Sequence, residues 1–402
     1  MRLADRMGRL GTESAFEVFA RARALEATGR KIVHLELGEP DFDTPAHIVA
    51  AAEEGLRAGM THYVPPPGIP PLREAVAAFL EAKGRLTCSP DQVLVFPGAK
   101  PVMYCTIMVL CQEGDEVLYP NPGFPMYESI SAFAGATPVP IPLREENKFR
   151  IDPDELESLV TDRTKLLVLN TPHNPCGSAL TRDEIERIAR IAIERDLIVL
   201  SDEIYWAMPY DSAHHSVLEV DGMAERTVLL DGWSKTFAMT GWRLGFGVFP
   251  PELVEPVTRL VINTVSCTSA FSQHAAKAAL EGPWEPVEEM LAEFRRRREV
   301  IVDGLNAIDG VTCVMPGGAF YAFPSIKATG ATSKEVETHL LQEAGVACLS
   351  GTAFGAYGEG YLRLSYANSI ENIQAALDAM EASLPDIRPA APVGEGEAEA
   401  AM

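Results

Sequence analysis

From residue 93 onward, short apolar runs alternate with segments of helical periodicity. The runs at 93–96, 116–119, 165–170, 197–201, 227–230 and 244–249 are apolar nearly throughout, not only at every second position. Continuous apolar strands separated by helices predict a mainly parallel sheet covered on both faces. Upstream, 12–30 has the pattern of an amphipathic helix stopped at Gly29. A short strand comes next and breaks into a turn at Gly38, Pro40 and Pro45, and helices are expected at 46–58 and after the proline-rich VPPPGIPP. Beyond about residue 285 the rhythm changes. A long charged helix carrying Arg295 to Arg298 leads to strands expected at 311–315, 319–323 and 360–366, around a helix near 333–344. The expected architecture is α/β, with a large domain at 45–285 and a small α+β domain at 286–385. An N-terminal segment, 1–44, is expected to pack with the small domain, and 386–402, rich in Pro, Ala, Gly and Glu, to be a disordered tail.

Open α/β sheets bind ligands at the carboxyl ends of their strands, and polar residues succeed the apolar runs here. In FPGAKP, the turn Gly98-Ala99-Lys100 opens a helix and offers free N–H groups to a phosphate, although alone it is equally a tight strand-to-helix turn. In NTPHNPCG, Asn174 can hydrogen-bond a ligand oxygen or simply start a turn. In LSDEIY, Asp202 directly succeeds an apolar strand, as a buried paired carboxylate would, or else Ser201 or Asp202 is the N-cap of a helix beginning there. Tyr205 lies three positions on and shares its face if that turn is helical. In GWSKTFAMTGWRLG, Lys235 stands beside Ser234 between an apolar strand and an aromatic-rich loop, and Arg243 can grip a phosphate in bidentate fashion. A lysine amine for an aldehyde, a carboxylate for a pyridine nitrogen and a cup for a phosphate are what pyridoxal 5′-phosphate (PLP) chemistry needs.

LGEPDFDTP, HYVPPPGIPPLREA, FPGAKP, YPNPGFPMYE, NTPHNPCG, LSDEIY, GWSKTFAMTGWRLG, GGAFYAFP and YLRLSYA occur in this order between residues 12 and 383. Together they make a chain that resembles the class I/II aminotransferases of fold type I, near the bacterial branch of aspartate aminotransferases. The resemblance implies a mostly parallel seven-stranded sheet, PLP as cofactor, and Lys235 as the Schiff-base lysine and proton shuttle. It implies Asp202 as partner of the pyridine nitrogen, Tyr205 and Asn174 as donors to the phenolic oxygen, and Phe124 stacked on the ring, where a plain core aromatic would look the same. Gly98, Ala99, Ser234 and Arg243 match the phosphate cup. Tyr63 matches a tyrosine reaching the phosphate of a neighbouring subunit, which implies a homodimer with shared sites. Arg363 and the Gly38 backbone match the holders of the substrate α-carboxylate. Lys100, at the cofactor-binding turn, matches a lysine that holds the distal carboxylate of a dicarboxylic substrate; alternatively it is a surface lysine at a helix start. Glu13 and Ser14 fall where the N-terminal helix would cover the site, and an acid there could disfavour dicarboxylates or welcome a basic side chain. Two positions depart from the commonest pattern: Gly232 replaces a serine, and Cys176 a threonine. The implied reaction is a ping-pong transfer of an amino group from an L-amino acid, aspartate-like or from a broad set, to a 2-oxo acid such as 2-oxoglutarate. PLP-dependent lyases, oxidases and cyclases share the same fold and motifs.

A formal net charge of −23 over 402 residues repels nucleic acid and anionic membrane. Seven scattered cysteines with no C-x-x-C pair give no disulfide framework. Neither a secretory h-region nor an apolar run of membrane-span length is present, so the expected compartment is the cytoplasm. A PLP-sensing transcription regulator would need a DNA-binding module, and a nucleotide-binding protein a glycine fingerprint after a strand; the sequence has neither.

Overall fold

The computed structural model describes residues 3–387; the expected tail therefore lies outside the described residues, apart from 386 and 387. In chain order the elements are α1 (Ser14–Glu26), β1 (Val33–His34), α2 (Ala46–Arg57), α3 (Pro70–Ala82), β2 (Val93–Phe96), α4 (Lys100–Leu110) and β3 (Glu116–Asn121). Next come α5 (Met126–Ala134), β4 (Thr137–Pro142), α6 (Pro153–Leu159), β5 (Thr164–Asn170), α7 (Arg182–Glu194), β6 (Ile198–Asp202), β7 (Thr227–Gly232) and β8 (Gly245–Val248). The chain continues with α8 (Pro251–Thr264), α9 (Ala270–Glu281), α10 (Glu285–Ala307), β9 (Tyr321–Ala322), α11 (Ser333–His339), β10 (Val346–Ala347), β11 (Leu349–Ser350), β12 (Leu362–Ser365) and α12 (Ile370–Ser383).

The main sheet has seven strands in the order β2-β8-β7-β6-β5-β3-β4. Only β8 runs against its neighbours, β2 and β7. Side chains alternate between two buried faces, which is why the strands read as unbroken apolar runs. On one face Leu94, Val117, Leu166, Val168, Leu200 and Val228 join the largest core cluster. On the other, Leu118, Leu167, Leu169 and Val199 meet α7. That helix shows the local logic: Ile185, Ile188, Ala189 and Ala192 form its buried stripe. Thr181 caps it, the Thr181 hydroxyl accepting from the Glu184 N–H at 3.3 Å while the Glu184 carboxylate accepts from the Thr181 N–H at 2.8 Å.

Two smaller sheets complete the fold, and the first of them joins the two chain ends. β1 pairs in parallel with β10, and β12 lies between β11 and β9. Three expectations need correction. The edge strand β4, TPVPIP, is not predicted by the apolar pattern, because three prolines hide it; proline is tolerated at an edge, where one side of the ladder has no partner. No strand forms across 311–315: Thr312 makes only an isolated bridge to Ser325. In 319–323 only Tyr321 and Ala322 are in a strand, since Ala319 has φ 58 and interrupts the extended backbone.

Candidate active site

A cavity of about 540 Å³ opens where β5, β6 and β7 end. Asp202, the last residue of β6, lies at its floor, almost fully buried. Its carboxylate accepts from the Tyr127 hydroxyl at 2.7 Å and from the Ile204 N–H at 3.3 Å. Burial pushes its pKa up to about 6 despite those two bonds, with Asp231 and Glu203 adding to the rise. Such a carboxylate lacks a cation. Lys235 projects from the loop after β7 into the same cavity and donates to the Gly38 carbonyl. Burial lowers its pKa to about 8, with Arg363 and Lys100 adding to the effect and Glu39 opposing it. The neutral, nucleophilic amine is therefore far more accessible near neutral pH than that of an ordinary lysine, although the ammonium still predominates there.

Arg363, on β12, is buried, donates to the Glu36 carbonyl and to the Asn174 amide oxygen (3.3 Å), and leaves its Nε without a partner. Asn174 is itself held by its backbone N–H on the Asn170 side chain at 2.9 Å. The Arg363 guanidinium lies 4.6 Å from the Tyr321 ring centre and 5.0 Å from that of Phe354. The Tyr321 and Tyr205 hydroxyls are 2.7 Å apart.

At the opposite end, Gly98 adopts φ +96, and a Cβ there would lie 2.3 Å from an Arg243 terminal nitrogen. Only glycine lets that guanidinium approach the turn. Arg243, itself at φ 55, is anchored by donating to the Thr240 carbonyl at 2.7 Å. The first turn of α4, after Ala99, has no side-chain cap. Pro101 brings no N–H and the Val102 N–H bonds the Ala99 carbonyl at 3.0 Å, so the backbone donors offered to a phosphate are those of Ala99 and Lys100. Ser234 and Ala99 line this end of the cavity. Lys100 and Phe124 stand at the mouth, where the Lys100 ammonium pairs with Glu13 at 2.6 Å.

Tyr63 does not line this cavity and is 89% exposed on the single chain. The substitution at 232 has a steric cause. A Cβ at Gly232 would sit 2.9 Å from the Gly245 Cα and 3.0 Å from the Leu244 carbonyl oxygen across the β7–β8 pair, leaving no room for a serine. Cys176 is buried, and burial raises its thiol well above the usual range, so it is inert. Sequence reasoning gives no role to Tyr127 or Tyr321, although both lie in recognised motifs; the spacing of Tyr127 one helical turn after Phe124 is the available signal for the first. It also misses the charge network under the floor. There Arg85, buried, donates to Asp231 at 2.6 Å and to Glu203 at 2.8 Å. Glu203 also accepts from His214 at 2.9 Å and Ser216 at 2.5 Å.

The donor set fits PLP: a buried carboxylate lacking a cation, a lysine with depressed pKa in the same cavity, and a glycine cradle packed against an arginine at the far end. Comparison with known proteins agrees. The family model for aminotransferase class I and II matches residues 30–380. An aspartate aminotransferase of Pyrococcus abyssi is 43% identical over 95% of this chain and 98% of its own length. An aromatic-amino-acid aminotransferase of Thermococcus litoralis is also 43% identical, again over 95% of this chain and 98% of its own length. The solved structure of the Thermus thermophilus aspartate aminotransferase with maleate superimposes with a TM-score of 0.91 at 35% identity, covering 95% of this chain and 100% of that one. The chain belongs to the class I and II aminotransferases, PLP-dependent enzymes of fold type I.

Proposed function

We propose that this aminotransferase takes the amino group of an L-amino acid, aspartate-like or from a broad set, and delivers it to a 2-oxo acid such as 2-oxoglutarate, with Lys235 as the residue that holds the cofactor. The observation that carries the reading is the Lys235 amine, buried with a pKa near 8 in the cavity shared with Asp202 and Arg363. Bound PLP supplies an aldehyde for an amine and a ring that accepts electrons from the substrate Cα.

The chain supplies the rest. Asp202, whose carboxylate lacks a cation, holds a proton on the pyridine nitrogen. Tyr205 and Asn174 would donate to the phenolic oxygen, and Phe124 would flank the ring. Gly98, Ala99, Ser234 and Arg243 hold the phosphate. Arg363, with its unpartnered Nε, and the Gly38 backbone orient the substrate carboxylate. With PLP bound, the Lys235 Nζ would hold the cofactor and would serve as the base that moves the proton of the substrate Cα. Lys100, at the cavity mouth, receives the distal carboxylate of an acidic donor.

The proposed assembly is a cytoplasmic homodimer in which Tyr63 reaches the partner's phosphate. Exposed Leu56, Met60 and Tyr63 lie close together in sequence at the end of α2 and support an interface there. Among the described residues no helix is long and apolar enough to cross a membrane. The pairing of β1 with β10 supports grouping residues 1–44 with the small domain at 286–385, apart from the large domain at 45–285. The test of the functional reading is a donor panel: Lys100→Ala should lower kcat/KM for acidic donors more than for neutral ones. Equal loss across donors would return Lys100 to a structural role.

A further inference from the structure

The substrate-carboxylate end and the cofactor end of the cavity are joined by one side chain that the proposed roles leave unused. Tyr321, on β9, is almost fully buried. Its hydroxyl is 2.7 Å from that of Tyr205, and its ring carries the Arg363 guanidinium at 4.6 Å. The backbone has made room for it: a Cβ on Gly38 would stand 2.2 Å from the Tyr321 hydroxyl oxygen, so only glycine at 38 permits that hydroxyl to meet Tyr205. The same Gly38 accepts from Lys235. The charged and titratable groups acting on Tyr321 are Arg363 from β12, Tyr205 from the loop after β6, and Glu13 from the segment before α1.

We propose that Tyr321 is a positioning residue that relays the charge state of Arg363 to Tyr205, and through it to the nitrogen joined to Lys235. The inference rests on the roles proposed for Tyr205 and Arg363. Its direction comes from counting protons. A phenol has one proton to donate. If Tyr205 gives its proton to the cofactor's phenolic oxygen, the bond between the two tyrosines must be donated by Tyr321. A cation on the Tyr321 ring makes that hydroxyl a better donor, which in turn strengthens the bond Tyr205 donates. A substrate carboxylate on Arg363 cancels part of the cation. Both donations then weaken, and the lysine-linked nitrogen becomes more basic as substrate arrives.

The test is a pH titration of the visible absorbance of the holoenzyme, which a purely structural side chain would leave in place. Tyr205→Phe and Tyr321→Phe should each move the transition to higher pH, the latter by about one pH unit, the size one hydrogen bond allows. The double variant should move little further than Tyr205→Phe alone, since Tyr321 acts through Tyr205. Arg363→Leu should also raise the transition, and by less in the Tyr321→Phe background than in the native one. An unmoved transition in Tyr321→Phe, alongside a moved one in Tyr205→Phe, would overturn the relay while leaving the role of Tyr205 intact. An unmoved transition in Tyr205→Phe would overturn both. Additive shifts in the double variant, or equal Arg363→Leu shifts in the two backgrounds, would also overturn the relay. Tyr321→Phe keeps the ring and its stack on Arg363, so the fold is not at risk.

Discussion

Lys235 and Arg363 carry the two most separable of the proposed functions, attachment and orientation. Lys235→Ala should abolish the visible absorbance of the purified protein; an unchanged spectrum would refute its assignment. Arg363→Ala should lower kcat/KM by about 3 kcal/mol, roughly a hundredfold, for every donor. Near-normal activity on all donors would remove the carboxylate role. At this scale much of the constellation is legible in the sequence, because each group succeeds a strand end and the parallel sheet gathers strand ends at one edge: Asp202 closes β6, and Lys235 comes after β7. The hidden part depends on contacts between distant segments. Tyr321 and Gly38 lie 283 positions apart, and no local pattern announces that one clears space for the other. Glu13 and Lys100 each stand out in the sequence, but their pairing does not, for the same reason.

At the scale of elements, the β6 and β7 ends are tied together from below. Arg85 links Glu203, next to Asp202, with Asp231, four residues before Lys235, and its guanidinium rests 4.3 Å from the Trp206 ring centre. Removing the arginine strands two buried carboxylates, so Arg85→Ala should destabilise the protein by about 3–5 kcal/mol, read as a drop in denaturation midpoint. A change under about 1 kcal/mol would mean that the network contributes no more than a surface ion pair does. The acids also set a pH dependence. Asp202 and Asp231 have pKa values near 6 when folded against an ordinary value of 3.8, both raised chiefly by burial. Between these limits the folded state binds more protons than the unfolded one, so their contribution to stability falls as pH rises from about 4 to 6. Glu203 runs the other way: burial would raise its pKa, but His214 and Arg85 hold it well below the usual range, and its stabilisation is lost as pH falls. Asp202→Asn should therefore raise the melting temperature of the cofactor-free protein at pH 7 and lose that advantage at pH 4, while weakening PLP binding. A cofactor-free variant no more stable than the parent at pH 7 would contradict the unpaired-acid account. Element boundaries agree with the pattern where apolar runs are continuous. They fail at β4, where proline masks the strand, and at 311–315, where Val311 and Cys313 are buried without a ladder and Met315 is exposed.

For the molecule as a whole, the cavity concentrates groups that need a ligand: a carboxylate without a cation, a depressed lysine and a half-used arginine. Cofactor binding should therefore stabilise the fold strongly, by about 4 kcal/mol at a thousandfold excess over Kd. If the site is completed across a dimer, Tyr63→Phe should weaken PLP retention without altering the monomer's fold; unchanged retention would argue against sharing. The most direct test of the central claim is an absorbance spectrum of the holoenzyme before and after amino acids are added without any oxo acid. Conversion of the lysine-held cofactor band into the stable band of its amino form, by at least one donor, is the predicted result. A band that persists with every amino acid, or that shifts while ammonia or peroxide is released, would contradict it.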